Sequence, residues 1–575
     1  MRSPRCQLPF ARLVLVSLSA GILAASLAGC QAAKPLPPTA TRPYLEASAA
    51  DMQWFRQAKF GLFIHWGPVS IKGTEIGWSR SAERPGRQGK GEVPVEIYDN
   101  LYKQFNPTGF NADEWVATAK AAGVKYLVFT SKHHDGFCMF DTKLSDYKIT
   151  NSPFKRDICA ELADACHRAG LKLGWYYSQP DWHHPDYRTE NHARYLQYMH
   201  GQVRELLTNY GKVDIMWFDG LGGSAEDWDA DNLFRMIRSQ QPGILINNRA
   251  GLPADYDTPE QKIGQAEGGR PWETCMTIGE QWAYKPNDYV KSLKECLHVL
   301  IKVVGGDGNL LFNVGPRPDG RIEPEQVDRL KAMGQWLQTN GRTIFGTRGG
   351  PFIRDYWGTS THRDRTVYLH VLGWDEGRVR LAPVPRKILS AALQDGSPVE
   401  FKQTAGHITL IVPPQRQDPI DTIVTLQLDR SAGGLKLPAL PSGSLAKGRK
   451  ASEADTGQKE KDNPTANAFD DDYTTIWQAF MRQPPARLEV DLGSDTKIDR
   501  ARLCEILDRT REFVIECRGS DQEEWKPLAR GTTIGQSRLV RFEPTVTRHI
   551  RLGILKIDGN RPAQLAEFQI FAPVQ

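Results

Sequence analysis

The chain has 575 residues, which is too long for one compact domain and predicts two to four. Lys and Arg number 73 and Asp and Glu number 68, so the formal net charge is +5 with neutral histidine. This near-balance, without any block of like charges, argues against a nucleic-acid-binding surface, and no nucleic-acid partner is expected.

The first 30 residues have the pattern of an export signal. Arginines precede an apolar run from Leu13 to Leu27, which is too short for a membrane-spanning helix. The run ends in Leu27-Ala28-Gly29-Cys30, which resembles a bacterial lipobox and implies that Cys30 is acylated. An ordinary signal peptide that happens to carry a cysteine is the alternative.

Residues 31–50 are then expected to form a tether rich in Pro, Thr and Ala between the lipid and the folded body. Gln31, rather than Asp, follows Cys30, which favours the outer membrane over the inner membrane if the cell is Gram-negative. We therefore expect an exported protein, lipid-anchored to a bacterial membrane at the outer membrane or on its periplasmic face.

Strands alternate with helical patterns through residues 51–345. Helices are predicted at Ala112–Ala122, Asp157–Ala169 and Asn191–Asn209. Uninterrupted apolar runs predict strands buried on both faces. These runs are Phe60–Trp66, Tyr126–Thr130, Leu171–Ser178, Val213–Asp219, Ile244–Arg249 and Leu310–Val314. The alternation predicts an α/β fold, a parallel (β/α)8 TIM-like barrel.

Short β-rich runs replace this pattern after Phe345. They predict an antiparallel β-sandwich over residues 346–430, a linker over residues 431–450 and a second β-rich unit over residues 451–575. Seven cysteines remain beyond Cys30, an odd number without a CxxC pair, so no disulfide framework is expected. Cys504 and Cys517 could pair, and two buried free thiols are the equal alternative.

Each apolar run of the barrel ends in side chains that can do chemistry, and parallel barrels carry their working residues at these strand ends. Asp219 follows Val213–Phe218, so its carboxylate is expected between a dry barrel and an open mouth. There it could attack the anomeric carbon of a sugar. A structural helix cap is the alternative.

Two pairs of adjacent histidines are candidates for metal ligands or sugar contacts. His133 and His134 end a strand, where neighbouring side chains point to opposite sides, so they fit hydrogen bonds to sugar hydroxyls better than a shared metal. His183 and His184 are expected in a surface loop.

Several motifs in order resemble the α-L-fucosidases of glycoside hydrolase family 29. They are Phe60-Gly61-Leu62-Phe63-Ile64-His65-Trp66-Gly67, Lys132-His133-His134-Asp135-Gly136-Phe137, Trp217-Phe218-Asp219-Gly220, Trp272-Glu273-Thr274-Cys275 and Asn313-Val314-Gly315-Pro316. The resemblance implies a retaining mechanism that needs no cofactor. Asp219 matches the nucleophile. The implied fucose contacts are His65, Glu75, Trp78, His133, His134, Tyr176, Trp217 and Arg249.

The acid/base is open between Glu260 and Glu273, with Glu267 as a distant third. Glu260 is preferred because its loop can reach over the leaving group, whereas Glu273 lies in a tight aromatic setting and is expected to organise the pocket. Retention requires the two catalytic carboxyl groups to be about 5–5.5 Å apart.

The last unit contains Asn467-Ala468-Phe469-Asp470-Asp471-Asp472, Thr475 with Trp477, Leu488-Glu489-Val490-Asp491-Leu492-Gly493 and Ala566-Glu567-Phe568. With these motifs it resembles a discoidin, or F5/8 type C, module. Such modules often bind glycans and often hold calcium, and Asp470, Asp472 and Glu567 could supply the oxygen ligands for a structural calcium ion. A domain without any ligand is the alternative.

Together these features predict an exo-acting α-L-fucosidase that releases terminal fucose from fucosylated oligosaccharides or glycoconjugates. A related exo-glycosidase, such as an α-L-galactosidase, and an inactive surface glycan-binding lipoprotein are the alternatives. Linkage preference and oligomeric state do not follow from the sequence.

Overall fold

The computed structural model describes residues 43–81, 91–264, 269–453, 464–479, 484–559 and 562–573. Within these ranges no helix is long and apolar enough to cross a membrane. The α-helices are α1 Ala49–Ala58, α2 Val95–Tyr98, α3 Ala112–Ala121, α4 Ile158–Ala169, α5 His192–Thr208, α6 Ala230–Gln240, α7 Leu293–Gly305 and α8 Pro324–Asn340.

The first part of the body is built on a parallel sheet of seven strands. They are β1 Phe60–Ile64, β2 Tyr126–Lys132, β3 Lys172–Tyr177, β4 Ile215–Phe218, β5 Leu245–Ile246, β6 Glu273–Thr277 and β7 Asn309–Val314. The hydrogen-bonded order is β5-β4-β3-β2-β1-β7-β6. Nearly every strand residue is buried, because side chains on both faces lie in apolar cores.

The gap between the two edge strands is bridged by residues 255–261. The N–H of Asp255 donates to Ile246 in β5 at 3.0 Å, and the N–H of Gln261 donates to Cys275 in β6 at 2.9 Å. The ring is thus TIM-like, but eight regular strands are not found among the described residues. Pro259 has no N–H to donate, so this segment makes only isolated bridges.

Two antiparallel sheets follow the barrel and share one apolar core. Their strands are β8 Arg348–Gly349, β9 Gly358–Arg363, β10 Thr366–Val371, β11 Arg378–Leu381, β12 Ile388–Leu393, β13 Glu400–Gln403, β14 Ile408–Ile411 and β15 Thr422–Leu428. The orders are β12-β15-β10-β9-β8 and β11-β14-β13. Burial alternates along β11, as expected for a strand with one face on the core. We call this part the β domain.

The C-terminal module is also antiparallel. Its strands are β16 Lys450–Glu453, β17 Trp477–Gln478, β18 Ala486–Cys504, β19 Thr510–Arg518, β20 Lys526–Gly531, β21 Arg538–Ile557, β22 Gln564–Leu565 and β23 Glu567–Phe571. The long strands β18 and β21 pair along most of their length and carry a core of their own. Cys504 and Cys517 are both buried and free, so they do not pair.

Candidate active site

A cavity of about 160 Å³ opens at the carboxyl ends of the parallel strands. Most of its lining residues lie within two residues of the carboxyl end of a strand, as expected for a barrel of this type. The lining residues are Phe63, His65, Trp78, His133, His134, Tyr176, Trp217, Asp219, Leu221, Arg249, Glu260, Cys275 and Trp282. Seven of the eight predicted sugar contacts, all except Glu75, are therefore brought together with Asp219 and Glu260.

Asp219 is buried and held from three directions. The Tyr176 hydroxyl donates to Oδ2 at 2.9 Å, and Arg249 Nη1 donates to Oδ1 at 3.0 Å. His134 Nε2 lies 3.5 Å from Oδ2. Burial, followed by the charge of Asp219, raises the pKa of Tyr176 well above its usual value, so this phenol stays a donor. The carboxylate is thereby fixed in one orientation at the cavity wall.

Arg249 also binds the second carboxylate. Its Nη1 is 3.0 Å from Glu260 Oε2, as it is from Asp219 Oδ1. Because both oxygens lie 3.0 Å from one nitrogen, they are at most about 6 Å apart. This limit admits the separation of roughly 5–5.5 Å between the carboxyl groups of a retaining pair. It excludes the larger separations found in most inverting pairs. The Glu260 side chain is 44% exposed, so it lies at the open mouth of the cavity.

Glu273 lies behind the cavity wall and is not among the lining residues. It is fully buried, and its oxygens accept from the Tyr126 hydroxyl at 2.5 Å and from Trp217 Nε1 at 2.9 Å. Burial raises its pKa to about 7. Gly61 makes room for this network, since a Cβ there would be 2.4 Å from the Tyr126 ring. Glu273 thus fixes the Trp217 indole.

Two of the cavity histidines, His65 and His133, are uncharged near neutral pH. Burial lowers the pKa of His65 to about 4 and that of His133 well below its usual value. His65 Nδ1 is 2.7 Å from Asn313 Oδ1, and His134 Nδ1 is 2.6 Å from Ser178 Oγ. Imidazole rings held in this way can exchange hydrogen bonds with sugar hydroxyls.

The loop after β1 contributes Trp78 directly and Glu75 only indirectly. Trp78 lines the cavity and packs edge-on against His134. The Glu75 carboxylate accepts from the N–H groups of Trp282 and Ala283 at 2.9 and 3.1 Å. Glu75 therefore holds the segment that presents Trp282, and its side chain does not line the cavity.

Trp282 is the main wall residue that the sequence analysis did not identify. Its ring lies 4.9 Å from His65 and 6.1 Å from Phe63, centroid to centroid. It follows β6, so the strand-end rule would have found it had β6 been recognised. His183 and His184 are not among the lining residues, and His183 stacks on Tyr147.

The three predicted calcium ligands do not form one cluster. The carboxyl groups of Asp470 and Glu567 are hydrogen-bonded to each other, and burial, with Asp470 next, raises the pKa of Glu567 to about 9. Asp472 Oδ1 instead accepts from the N–H and hydroxyl of Thr474. In the described ranges no group of three or more His, Cys, Asp or Glu side chains is arranged to hold a metal.

Two predictions fall on residues outside the described ranges. These are acylation at Cys30, together with the signal peptide and most of the tether, and the role of Glu267.

The sequence matches two family profiles. The α-L-fucosidase profile matches residues 29–342, and the F5/8 type C domain profile matches residues 449–568.

Individual relatives agree with these matches. The chain is 31% identical to the plasma α-L-fucosidase of Homo sapiens over 387 residues, which is 60% of this chain and 82% of that protein. Among solved structures, α-L-fucosidase isoenzyme 1 from Paenibacillus thiaminolyticus is 37% identical, with a TM-score of 0.61, covering 66% of this chain and 99% of that one.

A GH29 α-L-fucosidase from Bacteroides thetaiotaomicron is 28% identical, with a TM-score of 0.60, covering 67% of this chain and 97% of that one. Its structure is that of a trapped covalent intermediate with 2-fluoro-fucosyl fluoride, obtained with a glutamate-to-glutamine mutant.

Proposed function

This chain belongs to the α-L-fucosidase family, and we propose that it is a retaining exo-α-L-fucosidase that removes terminal fucose from glycans with Asp219 as nucleophile and Glu260 as acid/base. The observation that carries the proposal is the pair of carboxylates on Arg249, whose oxygens are at most about 6 Å apart. The covalent intermediate of the related Bacteroides enzyme supports the same type of mechanism.

In the first step an Asp219 oxygen attacks the anomeric carbon while the bond from that carbon to the leaving oxygen breaks. Glu260 transfers its proton to the leaving oxygen, so the glycan departs as an alcohol. Arg249 and the Tyr176 hydroxyl hold the attacking carboxylate in place. The products of this step are a fucosyl ester of Asp219 and an ionised Glu260.

In the second step water enters at the position left by the glycan. Glu260 takes a proton from this water while the water oxygen attacks the anomeric carbon, and the ester bond to Asp219 breaks. The two inversions give fucose with retained configuration. Glu260 is again protonated, and Asp219 is again a carboxylate.

The cavity walls suit a single deoxy-sugar ring. The neutral imidazoles of His65 and His133, together with the imidazole of His134, supply hydrogen-bonding nitrogens. Phe63, Trp217 and Trp282 supply apolar ring surface for the less polar side of the sugar. The deciding experiment is hydrolysis of an aryl α-L-fucoside, with the first anomer released identified by NMR. An aryl α-L-galactoside tests the alternative specificity. If neither substrate is hydrolysed, the result favours the inactive glycan-binding lipoprotein.

We also propose that the chain is an exported lipoprotein. The support is in the sequence alone: the apolar run Leu13 to Leu27, the motif that ends in Cys30, and the tether that follows. Acyl chains on Cys30 would hold the enzyme at a membrane surface, where glycan substrates of the surroundings are accessible.

We further propose that the C-terminal module holds a calcium ion beside Asp470 and Glu567. The adjoining carboxyl groups of this pair are hard oxygen ligands, and Glu567 Oε1 is buried without a hydrogen-bond partner among the described residues. Main-chain carbonyl groups would have to complete the site. In the β domain, we infer that the two antiparallel sheets pack as a sandwich around their common core.

A further inference from the structure

A second cavity, of about 450 Å³, lies where the β domain meets the C-terminal module, and we call it the junction cavity. The β domain contributes Asp355, Asp375 and Arg380 to its lining, and the C-terminal module contributes Tyr473 and Arg502. It is larger than the catalytic cavity of about 160 Å³. None of its side chains takes part in the reaction proposed above.

One wall of the junction cavity is an ion pair between the buried Arg502 and the partly exposed Asp375. Arg502 is nine-tenths buried and donates to Asp375 and to Gln569. Its guanidinium lies 4.1 Å from the centroid of the Tyr356 ring. Within the described ranges, Arg502 Nε and Asp375 Oδ1 have no hydrogen-bond partner. Buried polar atoms of this kind are normally satisfied, so further polar partners are expected here.

The other polar groups leave hydrogen-bonding capacity towards the cavity. Asp355 accepts at 2.6 Å from the N–H of Tyr356, and burial raises the pKa of its carboxyl group to about 7. The carboxyl group accepts hydrogen bonds in either form and also donates one when it is protonated. The exposed Arg380 guanidinium makes no hydrogen bond or ion pair with the part of the chain that the structure describes.

The chemistry of these walls points to one class of ligand. Arg380, Arg500 and Arg502 stand against Asp355 and Asp375, which is too balanced a set for a nucleic acid. Apolar side chains complete the lining, but five ionisable groups in one cavity do not suit a lipid chain. Carboxyl and guanidinium groups beside tyrosines can donate to and accept from adjacent hydroxyl groups at once. The catalytic cavity combines the same groups around Asp219, Arg249 and Tyr176.

We infer that the junction cavity is a second carbohydrate-binding site, which takes neutral oligosaccharides through Asp355 and Arg380. Concave sites often form where two domains meet, and this one needs both the β domain and the C-terminal module. The inference does not rest on the proposed function, because binding here requires no turnover.

The test uses the full chain with Asp219→Ala, so that no substrate is consumed, and with excess fucose present to occupy the catalytic cavity. Lactose, N-acetyllactosamine, a uronic-acid oligosaccharide and inorganic sulfate are titrated separately by calorimetry and by ligand-observed NMR. Arg380→Ala and Asp355→Ala are then introduced. The matched control is Arg378→Ala, an exposed arginine on the same strand that does not line the junction cavity.

We expect at least one of the two neutral oligosaccharides to bind in the presence of fucose. Arg380→Ala and Asp355→Ala should each weaken that binding by about tenfold or more, because each removes hydrogen bonds made by a charged or strongly polar group. Arg378→Ala should leave it unchanged. Binding of sulfate or the acidic oligosaccharide alone would overturn the inference in favour of an anion site. Absence of neutral binding, or binding that survives both substitutions, would also overturn it.

Discussion

Replacing Glu260 by Ala separates the two candidate acids. The Glu260 side chain is 44% exposed and has one ion pair, with Arg249, so its loss should lower the free energy of unfolding by about 1 kcal/mol or less. The same replacement at Glu273 leaves the buried Tyr126 hydroxyl and Trp217 Nε1 without an acceptor. At roughly 1–3 kcal/mol for each orphaned donor, the loss there is about 2–6 kcal/mol.

The effect of Glu260→Ala on rate should depend on the leaving group. A general acid contributes about 10²- to 10⁴-fold, or roughly 3–5 kcal/mol of barrier, when the departing oxygen needs a proton. Hydrolysis of fucosyl-oligosaccharides should therefore fall by this factor. A fucoside with a good phenolate leaving group should lose much less in the first step, because the phenolate departs unprotonated.

The assay compares kcat/KM for both substrate types in the wild type, Glu260→Ala and Glu273→Ala, with unfolding followed in parallel. Azide should restore the second step in Glu260→Ala and give a fucosyl azide of retained configuration, and the alkaline limb of the pH–rate profile should flatten. Glu273→Ala should slow the hydrolysis of both substrates by a similar factor, because Trp217 loses the hydrogen bond that fixes its indole in the cavity wall. The reasoning is refuted if Glu273→Ala shows the dependence on leaving group and Glu260→Ala does not.

Further predictions concern the buried carboxyl groups and the anchor. Burial raises the pKa of Glu273 in the folded state from 4.5 to about 7. Below pH 4.5 the carboxyl group is protonated in both the folded and the unfolded state, so its ionisation does not affect stability. As pH rises from 4.5 to 7, the free energy of unfolding falls by about 3 kcal/mol. Glu273→Gln should therefore be less stable relative to the wild type at pH 4.5 than at pH 7 in denaturant unfolding, and an unchanged difference would contradict this. Cys30→Ala should release active enzyme from the membrane fraction, whereas equal membrane association would reject the anchor. Calcium should raise the Tm of the wild type but not of Glu567→Gln, and chelator-insensitive melting would count against that site.

The strands of the barrel were predictable where apolar residues run without interruption. The predictions for β1, β2, β3 and β7 agree with the structure to within one or two residues at most ends. The strand β6 was missed because it begins with Glu273, a carboxylate that faces Tyr126 and Trp217 inside the barrel. Such a partner across the barrel cannot be identified from local sequence.

Most of the site followed from the rule that working residues lie at the ends of parallel strands, which located His65, Asp219 and Arg249. The joint binding of Asp219 and Glu260 by Arg249 was not predictable. It depends on residues 255–261 closing the ring between β5 and β6 through main-chain bonds around Pro259, which have no local sequence signal.

The most direct test of the central claim is the site of covalent labelling. The wild type would be incubated with 2-deoxy-2-fluoro-fucosyl fluoride. This reagent forms the ester with the enzyme quickly, and the ester is then hydrolysed slowly. The protein would be digested and its peptides analysed by mass spectrometry. We expect one fluorofucosyl group per chain, on the peptide that contains Asp219, and none on Asp219→Ala. A label on Glu260, Glu273 or any other residue, or turnover without an ester, would contradict the account.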